Sequence, residues 1–352
     1  MSYRQACRST LSDYALRVMK SRLQGCLMAV GAVVLVVSLL FNIGLAAGLA
    51  GKSSSHGSVK SEPVFEEQFV EGTEGSDNKI ALIDLTGVIS SSIQGQVGES
   101  MVEDIVGKLK QARDEHSIRA IVLHIDSPGG EVNASDIIYH EVVKTRAVKP
   151  VVVFMGSVAA SGGYYVAVGA DYIMASDLTI TGSIGVILQT LNYKDLIQKI
   201  GVKSVTFKSG RYKDLLNGAR DMTPEEEKLV QEMIDNTYSK FVGLVAKERK
   251  LNVDDLKSGI ADGRILSGEQ ARQAKLVDGL GYMEDAIAQA KERAKIKDAQ
   301  VVRLRPTFSL SQLLRIFGKS DLSRIKIAVG PETLSLETGK LYFLSTHLFT
   351  GM

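Results

Sequence analysis

From residue 79 onward the chain alternates short apolar runs with stretches whose apolar residues recur at helical spacing. That rhythm restricts the fold more than any other feature. Lys79-Ile-Ala-Leu-Ile-Asp-Leu85, Ala120-Ile-Val-Leu-His-Ile-Asp126 and Pro150-Val-Val-Val-Phe-Met155 read as strands. Val102, Ile105, Val106 and Leu109 share one face of a helix over 99–114, and a second helix is expected over 132–146. A Gly-rich turn then leads into a helix at about 160–169, and Asp171-Tyr-Ile-Met-Ala175 repeats the strand pattern. Continuous apolar strands separated by amphipathic helices imply a parallel α/β core covered on both faces. A long helix is expected over 224–249, with Thr223 as its cap and Pro224 in its first turn.

The chain has 352 residues, 45% hydrophobic and 23% charged, which is enough to bury a sizeable core. Its net charge of +2 is uneven. Residues 1–51 hold Arg4, Arg8, Arg17, Lys20 and Arg22 against Asp13 alone, so of 42 basic and 40 acidic side chains the remainder keeps 37 and 39. A surface that binds polyanions needs a basic surplus, so nucleic acid is not expected as a partner. The two cysteines, Cys7 and Cys26, precede or sit in the apolar N-terminal segment. The main domain is therefore expected to have no disulfide and no thiolate metal site.

No charged side chain occurs from Leu23 to Gly51. Roughly 20 apolar residues in a helix cross a bilayer, so 23–51 is expected to be a transmembrane anchor. The basic residues upstream place 1–22 in the cytoplasm and the rest of the chain outside it. Small residues at Gly48-Leu49-Ala50 would suit cleavage of a secretory peptide, but the apolar stretch exceeds a usual ~7–15 residue signal core, which favours retention. Residues 52–78, rich in Ser, Glu and Gly, read as a solvated linker. The working domain is expected over 79–300, followed by an extension over 301–352 that carries the apolar tail 340–349.

Two turns could carry chemistry. In Ser157-Val-Ala-Ala-Ser-Gly-Gly-Tyr-Tyr165 a strand enters a small-residue turn and a helix leaves it, which puts Ser161 beside free backbone N–H groups. Such groups stabilise the negative charge on a carbonyl under attack. A serine there also serves simply as a helix cap. Ser127-Pro-Gly-Gly130 follows the preceding strand at its C-terminal end, where open α/β sheets place their ligands. A plain turn would use the same residues.

A serine nucleophile needs a base. The five histidines are His56, His116, His124, His140 and His347. His124 lies in a strand, where a core role is the commoner one, and no histidine falls between 141 and 346. Lysine is the other recurrent base for serine, provided burial disfavours its ammonium form. Lys199, Lys203, Lys208 and Lys213 all lie in the right stretch.

Taken together, Asp126-Ser-Pro-Gly-Gly130, Ser157–Tyr165, Thr181-Gly-Ser-Ile-Gly185, Lys208-Ser-Gly-Arg-Tyr-Lys-Asp214, Gly263-Arg-Ile-Leu-Ser-Gly-Glu-Gln270 and Leu276-Val-Asp-Gly-Leu-Gly281 resemble the signal peptide peptidase A family. These are the S49-type serine proteases, here in the short single-repeat form, and the likeness spans roughly residues 79–290. It implies a crotonase/ClpP-like α/β superhelix of strand–strand–helix units behind the N-terminal transmembrane helix. It assigns Ser161 as nucleophile, Lys213 as general base and Ser183 as the residue that orients the lysine. The oxyanion hole would come from Gly162 and Gly130, with Gly130 favoured over Gly129. No metal or organic cofactor is implied. The expected substrates are remnant signal peptides and other apolar peptides. The expected partners are the membrane and further copies of the chain in a ring or dome whose sites are shared between neighbours. The apolar tail 340–349 is expected in the substrate groove of its own or a neighbouring subunit. Two rivals share parts of this pattern: a related ClpP-like protease acting on intact membrane proteins, and a non-proteolytic crotonase-like acyl-CoA binder.

Overall fold

The structure, a computed structural model, describes residues 33–42, 65–91, 100–306 and 342–344. The chain divides into two units, Met1–Ser61 and Glu62–Met352. In the first, residues 33–42 form a helix, α1, whose side chains are all exposed. The rest of the expected anchor 23–51, the N-terminal segment 1–22, and 307–341 and 345–352 of the extension lie outside the described residues. No helix among the described residues is long and apolar enough to cross a membrane.

The second unit is a mixed α/β fold. Its strands and helices follow in the order β1 (Phe65–Gly72), β2 (Lys79–Thr86), α2 (Met101–Asp114), β3 (Ile118–Ser127), β4 (Gly129–Glu131), α3 (Val132–Arg146), β5 (Val151–Ala160), α4 (Gly162–Ala167), β6 (Tyr172–Ala175), β7 (Ile180–Gly182), α5 (Lys194–Lys199), α6 (Pro224–Arg249), α7 (Val253–Ser258), β8 (Ile265–Ser267), α8 (Gly268–Gln273), β9 (Gly279–Leu280), α9 (Met283–Ala294), β10 (Gln300–Pro306) and β11 (Tyr342–Leu344). The main sheet runs β1-β10-β2-β3-β5-β6-β9, with β7 beside the far end of β5 and β8 beside β7. Only β1 and β8 run antiparallel to their neighbours in this sheet.

The central strands are apolar on both sides because both sides are covered. Ile121, Leu123 and Ile125 of β3 face a core shared with α2, α3, α4 and α6. Ala120 and Val122 face a smaller core under Ala286, Ile287 and Ala290 of α9. This two-residue alternation is the strand period. Helices start where capping residues stand: Ser100 with Glu103 opens α2, and Thr223 with Glu226 opens α6, each as a reciprocal capping box.

Three boundaries differ from the sequence expectation. Residues 65–72, read as linker, form β1, which pairs with β10. Their charged side chains match an edge strand, and Gln111 fixes its start by exchanging hydrogen bonds with the Phe65 main chain at 2.8 Å each way. Likewise β10 runs into the expected extension, adding residues 300–306 to the sheet. The helix expected from about 160 begins only at Gly162, because β5 continues to Ala160 to pair with β7.

Candidate active site

The site is built at the C-terminal ends of β3, β5 and β7. At Ser161 the chain turns from β5 into α4 with φ 53° and ψ −112°, a conformation that L-residues rarely adopt. The turn is held by the Ser161 N–H, which donates to the Gly182 carbonyl at 2.8 Å. The Ser161 residue is 1% exposed, and its hydroxyl has no hydrogen-bond partner among the described residues. A buried hydroxyl left unpaired costs free energy, so such groups survive mainly where they have work to do.

Helix α4 is locked in place by the two tyrosines that follow the glycines. Tyr164 is fully buried and donates to the Leu276 carbonyl at 2.9 Å. Tyr165 donates to Asp136 at 2.6 Å, and Lys240 of α6 reaches the other oxygen of that carboxylate at 2.9 Å. Burial raises both phenols far above their ordinary range, with the Asp136 charge adding to the effect at Tyr165. Both therefore stay as donors.

The turn after β3 packs directly on the head of α4. A side-chain carbon added at Gly162 would lie 3.0 Å from the Gly130 nitrogen and 2.6 Å from the Ser135 hydroxyl. One added at Gly163 would lie 2.9 Å from the Ser127 carbonyl. Glycine is thus required for the two turns to approach. Gly129, with φ 104°, has its N–H engaged by the Ser127 hydroxyl at 3.1 Å. Gly129 also accepts from Ile89 through its carbonyl, and Glu131 donates to Ile89, both at 2.8 Å. Alternate residues of a strand direct their main-chain groups to opposite sides. The Gly130 N–H therefore faces the other edge, where β11 pairs antiparallel with Phe343 opposite Gly130. A backbone segment of the expected tail, residues 342–344, thus runs beside α4 and α3. Glu131 is buried, and its carboxylate accepts from Ser90 at 3.0 Å and from the Ser91 hydroxyl, which fastens the loop beneath this strand.

Ser183 lies next to Ser161. Strand β7 pairs with β5 up to Ala160–Gly182, so the two serines are the next residues of adjoining strands. Ser183 is 5% exposed, has φ 50°, and donates its N–H to the Arg264 carbonyl at 2.8 Å.

Lys213 stands apart. It occupies a turn after the α5 region, and its exposed side chain makes no hydrogen bond or ion pair among the described residues. No residue from 185 to 217 is buried. This arm nevertheless carries large apolar side chains, among them Leu191, Leu196, Ile200, Val202, Val205 and Phe207, the last 95% exposed. Within one chain the structure therefore gathers Ser161, Ser183, Gly162 and Gly130, and leaves the lysine in solvent. His124 does not replace it. Its ring stacks on Phe154, and its Nδ1 lies 3.0 Å from Asp84. Sequence reading missed the Ser135 contact and an ionic cluster of Arg220 with Asp214 and Glu226; spacings of six residues within irregular chain give no periodic signal.

The profile of peptidase family S49 matches residues 144–297, and that of Clp protease matches residues 81–181. The chain is 36% identical over 254 residues to the "Putative signal peptide peptidase SppA" of Enterococcus faecium, covering 70% of this chain and 72% of that protein. It is 36% identical to the "Serine protease SPPA, chloroplastic" of Arabidopsis thaliana over 71% of this chain, and 38% identical to "Protease 4" of Salmonella typhi over 62%. It covers only 38% and 35% of those two longer proteins. Among solved structures, a ClpP1 point mutant from Listeria monocytogenes aligns with a TM-score of 0.40 and 16% identity, over 58% of this chain and 94% of that one. The chain belongs to the peptidase S49 family and is a serine protease.

Proposed function

We propose that this protease is a membrane-anchored signal peptide peptidase whose site joins Ser161 of one subunit to Lys213 of a neighbour. The observation that carries the reading is the buried, unpartnered hydroxyl of Ser161, set in a strained turn beside the point where Gly162 packs close to the Gly130 nitrogen. Strain of this kind gathers at reactive groups. The exposed apolar arm supports the second half. A run of large apolar side chains with no buried residue needs a partner surface, and docking it on another copy would remove Lys213 from water. Desolvation disfavours the ammonium and frees the amine to act as a base.

In this mechanism the Lys213 amine takes the proton from the Ser161 hydroxyl as its oxygen attacks the scissile carbonyl. Ser183, next to Ser161, accepts from the amine and aims it. The N–H groups of Gly162 and Gly130 hold the oxyanion. The lysine ammonium then protonates the departing amine, leaving an ester on Ser161. Water attacks that ester, giving its proton to the same lysine. The acid leaves as the serine recovers its proton from the lysine.

A substrate would enter extended, pairing with the Gly129–Glu131 edge where β11 now lies. The uncharged span 23–51 supports anchoring, with the protease domain outside the cytoplasm. An enzyme held there meets signal peptides freshly released from preproteins.

The test uses full-length protein in detergent with a synthetic signal peptide. Ser161→Ala and Lys213→Ala oligomers should each be inactive, whereas oligomers reassembled from both variants should regain part of the activity. Mixed assemblies as inactive as their parents would reject the shared site. Full activity in a folded Lys213→Ala enzyme would reject lysine as base.

A further inference from the structure

We propose that Arg220 is a positioning residue for Lys213, acting through Asp214: its guanidinium ties the lysine-bearing turn to the head of α6 and balances the carboxylate of the residue that follows the lysine. The proposal rests on the reading of Lys213 as general base.

The contacts are unusually complete for so exposed a region. Arg220 Nε donates to Asp214 Oδ2 at 2.8 Å and Nη2 to Asp214 Oδ1 at 2.9 Å, a bidentate fork. Nη1 and Nη2 also reach Glu226 Oε2 and Oε1 at 2.8 and 2.6 Å. Further bonds go to the carbonyls of Asp221 at 2.9 Å and Asp214 at 3.2 Å. Lys208 adds a bond to Asp214 Oδ1 at 2.6 Å. Glu226 is not merely a surface partner: it belongs to the capping box of α6, accepts from the Thr223 N–H at 2.9 Å, and is buried. One guanidinium thus joins a turn without an apolar core to the capped start of a long helix.

The same geometry has an electrostatic side. Asp214 is covalently next to Lys213, and an uncompensated carboxylate there would favour the ammonium, the form that cannot act as base. The charged and titratable groups around the turn are Lys208, Arg211, Tyr212, Asp214, Arg220 and Asp221, with Lys194 paired to Asp221 from α5 and Glu225 and Glu226 from α6. Arg211 is taken up by Glu225 at 3.2 Å, and Arg220 is shared between Asp214 and Glu226. Lys208 and Arg220 together offset the Asp214 charge, one residue along the chain from Lys213. A role confined to folding would fix the turn but leave the pH response alone, and this distinguishes the two.

The experiment measures acylation of Ser161 by a fluorophosphonate probe, and peptide turnover, from pH 6 to 10 on the full-length assembled enzyme. Arg220→Ala should lower kcat on the order of 10–100-fold with little change in KM, and move the half-maximal pH upward by roughly one unit. Arg220→Lys should recover little, since an ammonium cannot form the fork. Asp214→Asn should move the half-maximal pH downward. Opposite shifts support the proposal; an unchanged midpoint in both variants, or shifts in the same direction, overturns it. If sedimentation shows that Arg220→Ala no longer assembles, Asp214→Asn decides alone: a lower midpoint supports the proposal and an unchanged one overturns it. Lys213→Ala keeps the two levels separate. Should it stay active, the base assignment fails; should it be dead while Arg220→Ala matches wild type in rate and midpoint, only the clamp fails.

Discussion

Ser161 and Ser183 leave two hydrogen-bonded strands side by side, one residue past the Ala160–Gly182 pair, and both bend at positive φ, 53° and 50°. A non-glycine residue held there costs on the order of 1–3 kcal/mol. Two neighbouring instances at a strand end indicate strain retained for use. Ser183→Gly should relieve part of it, raising stability by up to about 1 kcal/mol, while losing the hydroxyl proposed to aim Lys213. Thermal melting with peptidase assay should therefore show a more stable, slower enzyme, whereas Ser183→Ala should be slow without the gain in stability.

Ser161→Ala removes a buried hydroxyl that no described residue satisfies. Activity should vanish while stability holds or rises by about 1 kcal/mol. Denaturant unfolding checks this, and a loss of several kcal/mol would mean that the hydroxyl is part of the packing.

Gly162→Ala would drive a carbon to 3.0 Å from the Gly130 nitrogen and 2.6 Å from the Ser135 hydroxyl. Forcing these turns apart should lower kcat on the order of 10²–10³-fold, the scale of losing an oxyanion donor. Gly243→Ala, inside α6 with nothing within 4 Å of the added carbon, should instead stabilise the protein by roughly 0.5–1 kcal/mol and leave turnover alone.

The Glu226 carboxyl is held down to about 2, chiefly by the Arg220 guanidinium and then by the Thr223 N–H. A folded value below the unfolded one stabilises the native state above the ordinary glutamate range, and the contribution fades as pH falls toward 2. The turn around Lys213 should therefore loosen between about pH 4.5 and 2. Hydrogen exchange of residues 208–222 should speed up in that window while β3 stays protected. In Glu226→Gln the same segment should already exchange faster at pH 7.

Deleting residues 338–352 removes β11 from the Gly129–Glu131 edge. If that strand holds the place of a substrate, the truncated enzyme should show a lower KM for peptides, several-fold, with kcat little altered. An unchanged KM would mean that the tail and the peptide use different edges.

Much of the sheet was legible in the sequence because its central strands are apolar on both faces and its helices carry clear signals. The helices over 132–146 and 224–249 stand where periodicity and the Thr223–Pro224 start place them. The edge strand β1 was not legible: only Phe65 of its eight residues is buried, so its composition is that of a tether. Nor were β4, β7, β8 and β9, which have two or three residues each, too few for any period to register. At the site, the close approach of the two glycine turns could be read from glycine spacing, whereas that spacing alone left Ser161 open as a helix cap and its assignment came from the family resemblance. The surroundings of Lys213 could not, since nothing among the described residues covers the arm that bears it.

The three-residue pairing of β11 along Gly129–Glu131 also has a consequence for selectivity. Whatever takes that berth must offer consecutive amide and carbonyl groups that are not already spent on its own helix or sheet. A folded protein passing by has few to spare, confined to edge strands and loops, whereas a short fragment cut loose from its parent has little else. Discrimination would then begin with the conformational state of the visitor, before any of its side chains is read.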